Sequence, residues 1–373
     1  MHDVIYLDWA AHTPADDRVL RLFCEAEYGG NPLSGHSVGR EAQKRLDDAT
    51  AQIAELLHVD PGELIHTSGA SEANNTAIKG FARAGRHVGK HIISTALEHP
   101  SVSGPLTALQ EQGYEIDLVN IGRDGRVDCE HLQELCRSDT VLVAVSAVDS
   151  ELGTVQPIEA IVDIVKDYPQ CRLHVDAVQA IGKMPFSFDG IHSASISPHK
   201  FFGLTGCGLL WKQDRLAMEP LIHGGASSTI YRSGTPAVSL AAATAHALSL
   251  AHAGLAAQWE HISGLNQQLR RQLSAYPLVR INSPKGAIPH ILNVSVKGIK
   301  ARDFQEKLDQ NGVCVSVKSA CSTPNTPSRA VFAVSRDRQN ALSSWRISMS
   351  RQTTQEEIAE FLERFDQIYR EIS

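Results

Sequence analysis

The sequence predicts an α/β protein built on a mostly parallel sheet with helices on both faces. Two observations predict it. Short apolar runs alternate with helical stretches from about Glu63 to Lys212, and the runs are apolar throughout rather than at every second residue, as strands covered on both faces are. A third observation adds a second lobe, since shorter strand-like runs follow a long helical stretch downstream.

The elements follow in order. Strands are expected at Leu64–Thr67, Ile92–Thr95, Ile116–Val119, Val141–Val145, Leu173–Val175 and Cys207–Trp211, each a short run rich in Ile, Leu and Val. Another apolar strand-like run precedes Ser197. Helices are expected between them, for example over Ser71–Ala84 and Pro157–Asp167. One long helical stretch, Pro236–Ala275, bridges to the second lobe. That lobe carries strands at Ile291–Val296 and Val313–Val317 and a closing helix after Thr354. Lys318–Ser328, rich in Ser, Thr and Pro, is expected to be mobile.

Bulk properties narrow the function. The 373 residues suffice for two lobes, and 42% apolar with 21% charged residues is ordinary for a globular protein. A formal charge of −7 argues against a nucleic-acid surface driven by net charge, and direct nucleic-acid binding is not expected. No apolar run reaches bilayer-spanning length, and residues 1–8 lack the basic-then-apolar order of a secretory signal. Seven cysteines without zinc-type pairing point to a reducing cytoplasm, and the scattered histidines form no metal-ligand pattern.

The chemistry concentrates at strand ends. Lys200, in Ser197-Pro198-His199-Lys200, follows a strand-like run, and Asp176 ends the preceding one. A lysine and a carboxylate at adjacent strand tips are what pyridoxal 5′-phosphate (PLP) requires: the amine bonds the cofactor, and the carboxylate pairs with its ring nitrogen. Gln179 can donate to the ring's 3′ oxygen. Ser68-Gly69-Ala70-Ser71 links a strand to a helix whose N-terminus can hold phosphate; Ser71 would equally serve as a plain N-cap. His99 follows another strand and can stack on the ring and shuttle protons. Ser197 and His199 flank the lysine. Cys321 sits in a polar stretch after Lys318, which favours thiolate. Cys314, between valines, reads as an inert core thiol. Arg346 can clamp an amino-acid carboxylate, although an arginine there also fits a surface salt bridge.

The order of these motifs over nearly the whole chain resembles the cysteine desulfurases of the NifS/IscS type, class V of the fold-type-I PLP-dependent transferases. Tyr6–Pro14, Gly30–His36, Thr67–Asn75, His223–Gly225, Arg232–Thr235, Ser319–Cys321 and Arg351–Thr354 match the family's blocks. The resemblance implies a large domain with a mostly parallel seven-stranded sheet over residues 13–255, and a smaller α+β domain made of residues 1–12 and 256–373 that carries the Cys321 loop. It implies PLP on Lys200, Asp176, Gln179, His99, Ala70, Ser71, Ser197 and His199, with Thr235 reaching the neighbouring subunit's phosphate in a homodimer. Catalysis falls to Lys200, His99 and Cys321, and L-cysteine binding to Arg346, Ser150 and Asn31. The implied reaction yields L-alanine and a Cys321 persulfide that passes sulfur to an acceptor protein.

The chain departs from that pattern at Ser150, where the family has asparagine, at Trp9 and His12, over Ala226–Tyr231, and at Lys318. The shorter Ser150 is expected to weaken the carboxylate clamp. Other class V enzymes (an aminotransferase, a selenocysteine lyase or a C–S lyase) and a non-catalytic scaffold of the same fold are the alternative readings, as fold alone does not fix function.

Overall fold

The protein was studied as a computed structural model, which describes residues 4–27, 29–225, 227–318 and 326–371. The chain runs β1 (Ile5–Tyr6), α1 (Asp17–Ala26), α2 (Ser37–Leu57), β2 (Leu64–Thr67), α3 (Ala70–Gly85), β3 (His91–Ser94), α4 (Pro100–Gln110), β4 (Glu115–Leu118), α5 (Cys129–Leu135), β5 (Thr140–Ser146), α6 (Ile158–Val165), β6 (Arg172–Asp176), β7 (Ser193–Ile196) and β8 (Gly208–Lys212). Then come α7 (Val238–Ala253), α8 (Leu255–Leu273), β9 (Val279–Ile281), β10 (Ile291–Val296), α9 (Ala301–Gln310), β11 (Val313–Cys314), α10 (Arg329–Ser335), α11 (Arg338–Leu342), β12 (Ser344–Ser348) and α12 (Gln355–Arg370).

The main sheet has seven strands in the order β2-β8-β7-β6-β5-β3-β4, and only β8 runs against its neighbours. Its strands are apolar on both faces because each face packs on a separate cluster. Ile93, Val143, Val145, Val175 and Leu209 point into one cluster, while Ile92, Leu142, Ala144 and Leu210 point into the other. Neighbours in sequence thus serve opposite faces, the period-2 rule of a strand. The run before Ser197 is β7, whose buried serines make it less apolar than its neighbours; Ser193 Oγ instead bonds His174 Nδ1 at 2.8 Å.

A third cluster sits under the sheet β12-β10-β9 and gathers Leu292, Val294, Trp345 and Ile347 with Phe304, Phe361 and Phe365. Helix α12 starts where expected, since Thr354 and Glu357 exchange side-chain to backbone bonds at 3.1 and 2.8 Å in a capping box.

Two expectations change. Pro236–Ala275 is not one helix but two, bent by 64° at Gly254. The bend lets α7 press Ala243, Ala247 and Leu248 on the first cluster while α8 turns Ile262, Leu265 and Leu269 into the third. Val313–Val317 forms a strand only over Val313–Cys314, because its partner β1 is equally short; Ser316 then bridges to Arg346. Among the described residues no single helix is long and apolar enough to cross a membrane.

Candidate active site

A cavity of about 390 Å³ opens at the ends of β2, β5, β6 and β7. This is where a parallel sheet presents loop residues to a ligand. Asp176 is the last residue of β6, and Lys200 ends a 3₁₀ turn, Pro198–Lys200, directly after β7. Both line the cavity, together with Ala70, Ser71, His99, Gln179, Ser197, His199, Ser150 and Arg346.

The wall nearest β2 is the start of α3. Gly69, with φ +155°, is its N-cap and makes no side-chain cap. Ser71 therefore lies inside the helix and lines the cavity, which corrects the reading of it as a plain N-cap. The first N–H groups of α3 have no preceding turn to bond and carry the positive end of the helix dipole. Gly208 lets β8 come close behind this loop: a Cβ there would stand 2.6 Å from Gly69.

Asp176 is held rigidly. Its Oδ1 accepts from the Val178 N–H at 3.1 Å, and its Oδ2 accepts from Asn74 Nδ2 at 2.9 Å. Asn74 Nδ2 also donates to Ser101 Oγ at 2.8 Å, and Asn74 Oδ1 lies 2.8 Å from His174 Nε2. Ser101 in turn holds His99: its backbone N–H donates to His99 Nδ1 at 3.1 Å, and its hydroxyl lies 2.8 Å from the same nitrogen. Nδ1 thus serves as the acceptor, which leaves the proton of a neutral His99 on Nε2. Burial pushes the His99 imidazole down from its ordinary range, helped by Lys200 and Arg346 and opposed by Asp176. Asn74, Ser101 and His174 carry roles that no motif in the sequence announces. The signal of Asn74 and His174 is a polar side chain buried on a helix and on a strand, visible only once packed.

Lys200 Nζ donates to the carbonyls of Ala10 and Ala11 at 2.9 and 2.6 Å. Gln179 Nε2 donates to the same Ala10 carbonyl at 3.0 Å. Ser197 Oγ and His199 Nδ1 lie 2.8 Å apart, and burial, then Lys200, push the His199 imidazole down to about 4. His199 is thereby a neutral group at ordinary pH.

Arg346, on β12, is 2% exposed, so its ion pair is a buried one and not the surface bridge that an arginine there also allowed. Its Nη2 meets Asp8 Oδ1 at 2.8 Å and its Nη1 donates to the Ser150 carbonyl at 2.7 Å. Its Nε is buried without a partner. Ser150 thus touches Arg346 through its backbone.

Two expected residues lie elsewhere. Asn31 is exposed and its Oδ1 accepts from the Leu33 N–H at 2.9 Å, so it stabilises its own turn and does not line the cavity. Thr235 is exposed and lines a second hollow of about 140 Å³, which shares Ser68 and Gly206 with the first. Cys321, with Ser319, Ala320 and Ser322, lies outside the described residues. Lys318 at their edge donates to Thr326 O and Oγ1 at 2.6 and 2.9 Å. Among the described residues no group of three or more His, Cys, Asp or Glu is placed to hold a metal ion.

The donor set fits PLP. One cavity joins a lysine amine, a fixed carboxylate, the N-terminal turn of a 16-residue helix and an arginine guanidinium. These complement, in turn, an aldehyde, a pyridinium, a phosphate and an amino-acid carboxylate.

Comparison with known proteins agrees in kind. Residues 5–361 match the family model for class-V aminotransferases. A NifS/IcsS protein homolog of Lactobacillus delbrueckii subsp. bulgaricus is 34% identical over 99% of this chain and 98% of its own. The cysteine desulfurase IscS of Dictyoglomus turgidum is 34% identical over 99% of this chain and 96% of its own. That of Azotobacter vinelandii is 35% identical over 95% and 90%. Among solved structures, a NifS-like protein superposes with a TM-score of 0.92 at 33% identity, covering 99% of both chains. A NifS-like protein from Rickettsia africae gives 0.88 at 30% identity, covering 98% of this chain and 99% of its own.

Proposed function

The chain belongs to the class-V aminotransferase family and, within it, to the cysteine desulfurases of the NifS/IscS type; from that premise we propose how its residues convert L-cysteine to L-alanine and pass on the sulfur. Lys200 would bond PLP, and Asp176 would pair with its ring nitrogen; His99, Gln179, Ala70, Ser71, Ser197 and His199 line the same cavity and would hold the rest of the cofactor. When bound, PLP supplies an electron sink that acidifies the α-carbon of an attached amino acid.

The chain's own residues do the rest. Arg346, anchored by Asp8 and the Ser150 carbonyl, offers its remaining N–H groups to the substrate carboxylate. The Lys200 amine would carry the proton from the substrate α-carbon. His99, with its proton on Nε2, exchanges protons at the substrate. The Cys321 thiolate attacks the substrate sulfur: an S–S bond forms, the C–S bond breaks, and the electron pair stays with the three-carbon fragment. Two protonations and release give L-alanine, with the sulfur left on Cys321 as a persulfide for an acceptor protein.

Thr235, exposed beside the phosphate-side hollow, suits contact with a second copy of the chain, and we read the working form as a homodimer. The pairing of β1 with β11 supports grouping residues 1–12 with 256–373 as the small domain and 13–255 as the large one. The described cysteines are all free thiols, in keeping with a reducing cytoplasm.

The observation that carries this reading is the presence of Lys200, Asp176 and Arg346 in one cavity at the strand ends. The experiment compares L-alanine formation from L-cysteine, with a reductant, between the wild type and Cys321→Ser. The variant should bind PLP yet lose at least about 100-fold in rate, the scale expected when a covalent nucleophile is removed. Undiminished turnover in Cys321→Ser would exclude the persulfide route.

A further inference from the structure

We propose that Lys183 is a positioning residue: it fixes the Gln179 amide so that Gln179 presents an N–H, not a carbonyl oxygen, to the cavity. The inference rests on the reading of this cavity as the cofactor site. Lys183 is 7% exposed, and among the described residues it takes part in no ion pair. A buried lysine without a carboxylate is costly, so its remaining contact should explain it. That contact is Gln179 Oε1, which accepts from Lys183 Nζ.

The geometry leaves the amide one orientation. Gln179 and Lys183 are four residues apart on consecutive turns after β6, in which Ile181 N and Met184 N bond Ala177 O and Ala180 O at 2.9 and 3.0 Å. Lys183 holds the oxygen end of the amide, while the Ala10 carbonyl accepts from Nε2 at 3.0 Å. A flip would set oxygen against oxygen at Ala10 and N–H against a donor at Lys183. One Nε2 hydrogen is used by Ala10, and the second remains for the cavity that Gln179 lines. There it would meet the 3′ oxygen of bound PLP.

Other charged and titratable groups around Lys183 are Lys200, Arg346, His199 and His290, with Asp176 and Arg351 lining the adjoining hollows. Burial first, then Lys200 and Arg346, push the Lys183 amine well below the ordinary lysine range. Once Lys183 is lost, the buried Oε1 has no donor and is drawn toward Lys200. The anionic ring oxygen then loses its N–H, and its negative charge makes the neighbouring protonated Lys200 nitrogen harder to deprotonate.

The test uses PLP-loaded protein and reads the pH midpoint at which the visible band of PLP bonded to Lys200 changes. Lys183→Met and Gln179→Met should each raise the midpoint by about one pH unit, and the double variant no more than Gln179→Met alone. An unmoved midpoint in Lys183→Met overturns the proposal. So does a full extra shift in the Gln179→Met background, because Lys183 would then act without Gln179. Lys183→Gln keeps a donor and should titrate like the wild type; a unit shift in that variant overturns the proposal even if Lys183→Met does not fold. A wild type with no visible band, and no borohydride-trapped adduct at Lys200, would defeat the cofactor reading and this inference with it. A normal wild-type band with unmoved variants defeats only the inference.

Discussion

Asp8 and Arg346 meet at 2.8 Å across 338 residues, and this pair sets the direction of the arginine in the cavity. Asp8 also accepts from Ser316 Oγ at 2.8 Å, so three segments converge on one carboxylate. Asp8→Ala would leave a buried guanidinium half-anchored. We expect KM for L-cysteine to rise about tenfold with kcat little changed, the pattern of lost uniform binding. Steady-state alanine formation measures both constants, and an unchanged KM would separate Asp8 from substrate binding.

Lys200→Ala should give a folded, colourless protein. The side chain hangs on two main-chain carbonyls, those of Ala10 and Ala11, so its loss leaves the sheet intact. A visible band retained in the variant after dialysis would place the cofactor bond on another amine.

Ser150→Asn should lower KM for L-cysteine severalfold, about 1 kcal/mol for one added hydrogen bond. Residue 150 lines the cavity, and its carbonyl already fixes Arg346, so a longer amide would extend the clamp without disturbing it. If KM stays or rises, the side chain of residue 150 does not face the substrate carboxylate.

Asp149→Asn should stabilise the protein at alkaline pH. Asp149 is 1% exposed; its Oδ1 accepts from the Glu151 and Leu152 N–H groups, and its Oδ2 has no partner. Burial, then Glu151, push its carboxyl up to about 7. The folded state thus holds this proton more tightly than the unfolded chain, whose aspartate titrates near ~3.9. The contribution is fully present below that value and is lost as pH rises through about 7. Its loss costs on the order of 4 kcal/mol at pH 9. Asparagine keeps the acceptor and cannot ionise, so its Tm advantage over the wild type should grow between pH 6 and pH 9. A constant difference across that range would show that Asp149 does not titrate there.

What was legible in the sequence follows from which interactions are local. Val141–Val145 reads as a strand because both of its faces are covered, and all of β5 is buried. Asp176 and Lys200 were readable because each sits just where its own strand stops. Asn74 was not, since its job is a bond to Asp176 102 residues away. The break at Gly254 was hidden because Ala and Leu continue on either side, and only the two separate cores require the turn. Asn31 is local in the other sense: its side chain accepts from the Leu33 N–H and closes its own loop.

The shared Ala10 carbonyl has a consequence for how the chain reaches its native state. Residues 5–11 are synthesised hundreds of residues before Val313, Arg346 and Ser348, the groups that hold them. Such distant closure is slow, since the loop entropy must be met before the contacts form. Lys200 and Gln179 therefore lack their common acceptor until this segment docks, and a nascent or half-folded molecule has no competent cavity. Competence for sulfur chemistry is in this way tied to completion of the fold.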